Sequence, residues 1–75
     1  MKTIEEEIHD RLMSASFHYA DDTTQEWSIA RTDVNSAAAL IKEHDISEMT
    51  IDHLYKQHQY LVTKDELYRA IRRFT

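Results

Sequence analysis

The 75 residues include no glycine, no proline and no cysteine. Each absence excludes something. Tight two-residue hairpins want a residue at positive φ, usually glycine or asparagine, and Asn35 is the only asparagine, so a β-rich fold lacks its turns. The same lack removes glycine-rich phosphate loops and the glycine-flanked nucleophile elbow, both of which need backbone without a Cβ at close approach. Without cysteine, neither a disulfide frame nor a thiolate zinc site supports a small core. No run approaches the roughly 18 consecutive apolar residues of a membrane span. The opening MKTIEEEIHD carries acids where a secretory signal carries basic residues and then an apolar run, so a cytoplasmic protein without membrane contact is expected.

Hydrophobic residues make up 41% of the chain, which is enough for a core. A chain of this length buries only about 60% of the surface its unfolded form exposes, which predicts one domain, residues 1–75, of small stability. Helix packing, with a second copy or a partner, has to supply the rest.

The helical reading rests on starts and stripes. Thr3 followed by Glu6 has the capping-box spacing, and Ile4, Ile8, Leu12, Ala15 and Tyr19 recur behind it at intervals of four and three, predicting a helix over about 3–20. Thr23 and Glu26 repeat the spacing and predict a short helix carrying Trp27 and Ala30. A hairpin of ASFHYA and QEWSIA around DDTT competes for residues 15–30, because both segments alternate. Thr32 or Asp33 is then expected to cap VNSAAALIKEH, with Val34, Ala37, Ala38 and Ile41 inward and three successive alanines allowing close approach. Ser47 caps EMTIDHLYKQH, with Ile51, Leu54, Tyr55 and His58 on one side. Thr63 and Glu66 open a last helix whose Leu67, Ala70, Ile71 and Phe74 share a face. The expected fold is all-α, a compact bundle of four main helices plus one short helix, with Leu12, Ile41, Leu54, Leu67 and Ile71 in the core.

The C-terminal third, HLYKQHQYLVTKDELYRAIRRF, resembles the helix-turn-helix region of winged-helix regulators of the response-regulator type, through Val62, Thr63, Glu66 and Leu67. The resemblance implies a helix-turn-helix-like C-terminal part and, as an alternative function, a DNA-binding regulator contacting nucleic acid through Lys64, Arg69, Arg72 and Arg73. In that family a separate recognition helix follows, and this sequence stops at Thr75. Entry of the last helix itself into a groove would bring Asp65 and Glu66 to the phosphates. Asp65 also stands i,i+4 from Arg69, and the remaining arginines are fewer than the six to ten or so phosphate contacts of strong salt-dependent binding. A solvated face is the simpler reading, and nucleic acid is not the expected partner.

Metal and catalytic readings are weaker still. The segment ending at Glu66 resembles the exit of an EF-hand loop, but Tyr55 stands where calcium needs an acidic oxygen and Tyr60 where the loop needs glycine. His53 and His58 are five apart, which puts them on different helix faces, and Glu5 with His9 has i,i+4 spacing but too few ligands. His58 reads as a satisfied core histidine. No nucleophile and base stand together, so no cofactor, metal or catalytic activity is expected.

Charge is divided unevenly. Residues 1–33 hold three basic and eight acidic residues, net −5, and residues 34–75 hold six of each, net zero. The balance suits a partner with a basic surface, or simply keeps the protein in solution. Met13 and Phe17 are i,i+4 neighbours about 140° to 180° away from the Ile4/Ile8/Leu12 stripe, on the side of Glu6 and Asp10. Either Trp27 folds back to cover them, or Met13, Phe17, Glu6, Asp10 and Trp27 bind a partner protein or a second copy. The expected function is that of a small non-enzymatic regulatory or inhibitory module, comparable by analogy with accessory proteins of phage, plasmid or bacterial type; an assembly or oligomerisation subunit, including a homodimer, is a further alternative.

Overall fold

The structure is a computed structural model that describes residues 2–74. Four helices make it up: α1 (Ile4–Ala20), α2 (Thr24–Glu43), α3 (Glu48–Gln57) and α4 (Lys64–Arg72). No strand occurs among the described residues, so the hairpin alternative for 15–30 does not form. Every helix starts at a hydroxyl cap. Thr3, Thr23, Ser47 and Thr63 have extended backbone and accept from the N–H groups of Glu6, Glu26, Thr50 and Glu66 at 3.1–3.3 Å, each satisfying one of the donors a helix start leaves unpaired.

The segments read as a short helix and its successor are one helix of 20 residues. Thr32 and Asp33 do not cap. Thr32 instead donates its hydroxyl to the Ser28 carbonyl at 3.2 Å within the helix, and Asp33 accepts from the Ser14 hydroxyl at 2.8 Å across to α1. With those side chains occupied and no proline or glycine to interrupt it, the buried stripe of Ala30, Val34, Ala37, Ala38 and Ile41 runs through unbroken.

Lacking glycine, the chain ends α2 by another residue. Asp45 takes the left-handed conformation (φ 53°), while Ile46 N–H reaches the Ile41 carbonyl at 3.0 Å and Asp45 N–H reaches that of Lys42 at 3.4 Å. This is the double closure of a Schellman motif, with Asp where glycine is usual and Ile46 folded against the core.

α1 and α2 form an antiparallel pair, since Arg11 donates to Ser36 (2.8 Å), Ser14 to Asp33 and His18 pairs with Glu26 in reversed order along the chain. Between them and the other helices lie Ile8, Leu12, Ala15, Val34, Ala37, Ala38, Ile41, Ile51, Leu54, Leu67 and Ala70, all buried, together with Val62 from the connection before α4. Leu12, Ile41, Leu54 and Leu67 are in the core as expected. Ile71 only packs against it, half-buried, and Phe74 is 48% exposed because α4 stops at Arg72 and the face it was to share has ended. α3 and α4 are joined by residues 58–63. No described helix is long and apolar enough to cross a membrane.

Candidate functional site

Two surfaces stand out, on opposite sides of α1. Once Thr3 has started the helix, Glu6, Asp10, Met13 and Phe17 follow at steps of four, three and four and therefore share one stripe. It faces away from Ile8, Leu12 and Ala15. Phe17 is 69% exposed and Met13 half-buried, with Glu6 and Asp10 exposed beside them. Thr3 donates its hydroxyl to the Glu6 carboxylate at 3.3 Å. Lys2 bonds to Asp10, holding that carboxyl below the usual range and being itself raised, chiefly through this hydrogen bond. Both partners are solvated, so the pair adds little to stability.

Trp27, grouped with this stripe from the sequence, stands elsewhere. Its indole meets the Tyr19 ring edge-on, centroids 5.9 Å apart, and Tyr19 lies two residues and thus about 200° around α1 from Phe17. An indole seated there does not cover Phe17, which stays 69% exposed.

Trp27 and Tyr19 instead belong to a groove of about 760 Å³ where α1 ends, α2 begins and α4 packs across. Arg31, Leu61, Glu66, Arg69 and Arg73 complete its lining. Trp27 and Arg31 are i,i+4 on one flank of α2, and Glu66, Arg69 and Arg73 follow at three and four along α4 and its cap, so each helix presents a single row to the groove. Tyr19 donates its hydroxyl to the Glu66 carboxylate. Burial and that carboxylate push the phenol up to about 12, so it stays a donor well into the alkaline range where an ordinary tyrosine ionises. Glu66 is thus engaged within the wall. Arg73 donates to the Asn35 side-chain carbonyl at 3.3 Å, fixing the end of α4 against α2. The result is a wall of three guanidinium groups beside a half-exposed indole and the 59% exposed Leu61. Such a surface suits an anionic segment carrying an apolar side chain, because guanidinium forks match carboxylate geometry while the ring supplies contact area.

The basic residues proposed for nucleic acid are therefore divided. Arg69 and Arg73 line the groove. Lys64 lies apart, 3.1 Å from Asp52 and 5.8 Å from the Tyr55 ring centre, and Arg72, though exposed, is not part of the lining. Arg31 and Leu61, which sequence reasoning passed over, complete the set; the one signal for Arg31 was its i,i+4 spacing from Trp27.

A third cluster is structural. His58, expected in the core, is half-buried as the cap that ends α3 and stacks on His9 at 4.0 Å between ring centres. His9 Nδ1 is 2.6 Å from the Tyr60 hydroxyl, and the Tyr55 hydroxyl donates to the Val62 carbonyl at 2.9 Å. These contacts pin residues 58–62 to α1 and α3. His53 lies exposed on a different side, and no group of three or more His, Cys, Asp or Glu side chains that could hold a metal ion occurs among the described residues.

Compared with protein-family models, with curated proteins and with solved structures, the chain matches none.

Proposed function

We propose that this chain is a small non-enzymatic module of the cytoplasm that regulates or inhibits a partner protein by covering part of its surface, with the Glu6/Asp10/Met13/Phe17 stripe as the docking face. The observation that carries the reading is Phe17, a large apolar side chain 69% exposed on a regular helix, aligned with Met13 and flanked by acids. Interface anchors are aromatic residues of this kind set inside a polar rim. The net charge of −5 favours a partner with a basic surface, as does the rim. Comparison with phage, plasmid or bacterial accessory proteins remains analogy.

Binding of DNA by a helix-turn-helix-like part is a second reading, favoured by the gathering of Arg31, Arg69 and Arg73 in one groove. Against it stand Glu66 in the same wall and the overall negative charge, which oppose a polyanion.

The test is affinity capture from the source cell, with nuclease treatment, using the wild-type protein and Phe17→Ala. The variant is expected to melt like the wild type and to lose about 2 kcal/mol or more of partner affinity, the usual hot-spot threshold. Unchanged capture, or a destabilised variant, would overturn the proposal. Capture lost with nuclease would favour the second reading.

A further inference from the structure

The two surfaces on either side of α1 complement one another. One carries Met13 and Phe17 with Glu6 and Asp10; the other carries Trp27 and Leu61 with Arg31, Arg69 and Arg73. Apolar matches apolar, and acids match guanidinium groups. Asp10 and Phe17 are separated along the helix by about 10 Å, so a carboxylate and the ring can engage one groove together. The two surfaces cannot meet within one molecule, because Phe17 and the groove-lining Tyr19 point about 200° apart on the same continuous helix.

We infer that the Trp27/Leu61/Arg31/Arg69/Arg73 groove receives the Glu6/Asp10/Met13/Phe17 stripe of a second copy of this chain. Phe17 enters beside Trp27 and Leu61, while Asp10 and Glu6 exchange their solvated contacts with Lys2 and Thr3 for the arginines. Opposite placement has a consequence for symmetry. Two copies cannot satisfy both contacts reciprocally, so each pair retains one open groove and one open stripe, and copies add head to tail. The net charge of −5 on every copy opposes growth, so association is expected to be weak. The inference rests on the proposed function only in taking the α1 stripe as a docking face. A second copy then competes with the foreign partner for Phe17, and self-association restrains the module when it is abundant.

Sedimentation velocity of the full chain across a concentration series, with two variants, decides the matter. One variant carries Asp10→Lys and Phe17→Ala, which breaks the stripe; the other carries Arg31→Glu and Arg69→Glu, which breaks the groove. All four positions are solvent-exposed, and thermal melts verify the folds, with Arg31→Gln and Arg69→Gln as the milder groove variant. The wild-type average mass is expected to rise above 8.9 kDa with concentration, and each variant alone to weaken association by at least about tenfold. Mixed in equal amounts, the two variants have one intact groove and one intact stripe between them and are expected to form a dimer and nothing larger. A wild-type protein monomeric throughout, or a mixture that stays monomeric while the wild type associates, overturns the inference. So does a single-stranded oligonucleotide that binds the wild type and not the groove variant while self-association is absent, which would assign the groove to nucleic acid. The partner reading fails separately. Capture of the foreign partner by the groove variant but not by the stripe variant would leave it standing even if the protein proved monomeric.

Discussion

Ser16 should matter more than its size suggests. It is 7% exposed, the one buried polar side chain among the described residues, and its hydroxyl serves two partners: it donates to the Leu12 carbonyl at 2.9 Å and accepts from the Leu61 N–H at 2.9 Å. The first bond is dispensable, because that carbonyl already accepts within α1. The second is not, because the Leu61 N–H lies in a connection with no helix or strand to supply another acceptor. Ser16→Ala leaves that donor unpaired against α1, at a cost of about 1–3 kcal/mol, and recovers up to about 0.5 kcal/mol through the better helix propensity of alanine. A net loss of about 1–2 kcal/mol follows, a drop in Tm of roughly 5–15 °C for a domain of this size. Ser14→Ala is the control. Its hydroxyl meets Asp33 at 2.8 Å in a half-exposed position, where water can replace it, so its melt should move by no more than about a third as much. Hydrogen exchange adds an independent reading, since the Leu61 amide should lose protection in Ser16→Ala beyond the global change. A Ser16→Ala protein that melts like the wild type, or equal losses at Ser14 and Ser16, would refute this account of how residues 58–63 are held.

Other expectations follow from the same structure. Asp45→Gly should raise stability by about 0.5 kcal/mol in urea melts, because glycine takes φ 53° without the Cβ penalty, and Asp45→Val should lower it. Leu12→Ala or Leu67→Ala should cost about 2–5 kcal/mol and unfold much of the domain, whereas Ile71→Ala at its half-buried position should cost about 1–2 kcal/mol; equal effects would contradict the burial described. Alkali should destabilise the fold above about pH 10, the ordinary tyrosine value. Tyr19 and Tyr60 are pushed up to about 12, chiefly by burial, and burial raises Tyr55 and Tyr68 as well. Between those values the unfolded chain has lost protons that the folded one keeps, so stability present below pH 10 falls as pH rises; a Tm constant to pH 11.5 would refute it.

The four helix starts were readable because a cap is local: Thr3 with Glu6, Thr23 with Glu26, Ser47 with Thr50 and Thr63 with Glu66 are each three residues apart. Thr32 and Asp33 offered the same residue types and misled, since what decides between capping and continuing is whether those side chains find partners inside the helix or across it. They found Ser28 and Ser14, and the second of these contacts spans 19 residues. Phe17 and Met13 could be placed outward by counting angles along one helix. The groove could not, because Tyr19, Trp27, Leu61 and Arg69 come together only when three helices and a connection pack. Stacking of His9 on His58 was hidden for the same reason, and Ser16 was invisible because a serine between Ala15 and Phe17 shows no sign of a partner 45 residues away.

Trp27 is the chain's single tryptophan, and it stands at the rim of the groove, 44% exposed and edge-on to Tyr19. The molecule therefore carries an intrinsic optical reporter at the place where a ligand would arrive. Its emission should be red-shifted in dilute solution, where water reaches the indole, and should move to the blue as an apolar side chain displaces that water. Excitation of Tyr19, with its ring centre 5.9 Å away, should light the same indole by energy transfer. Occupation of the groove can thus be followed on the unlabelled protein, at concentrations and in mixtures where mass alone is hard to read.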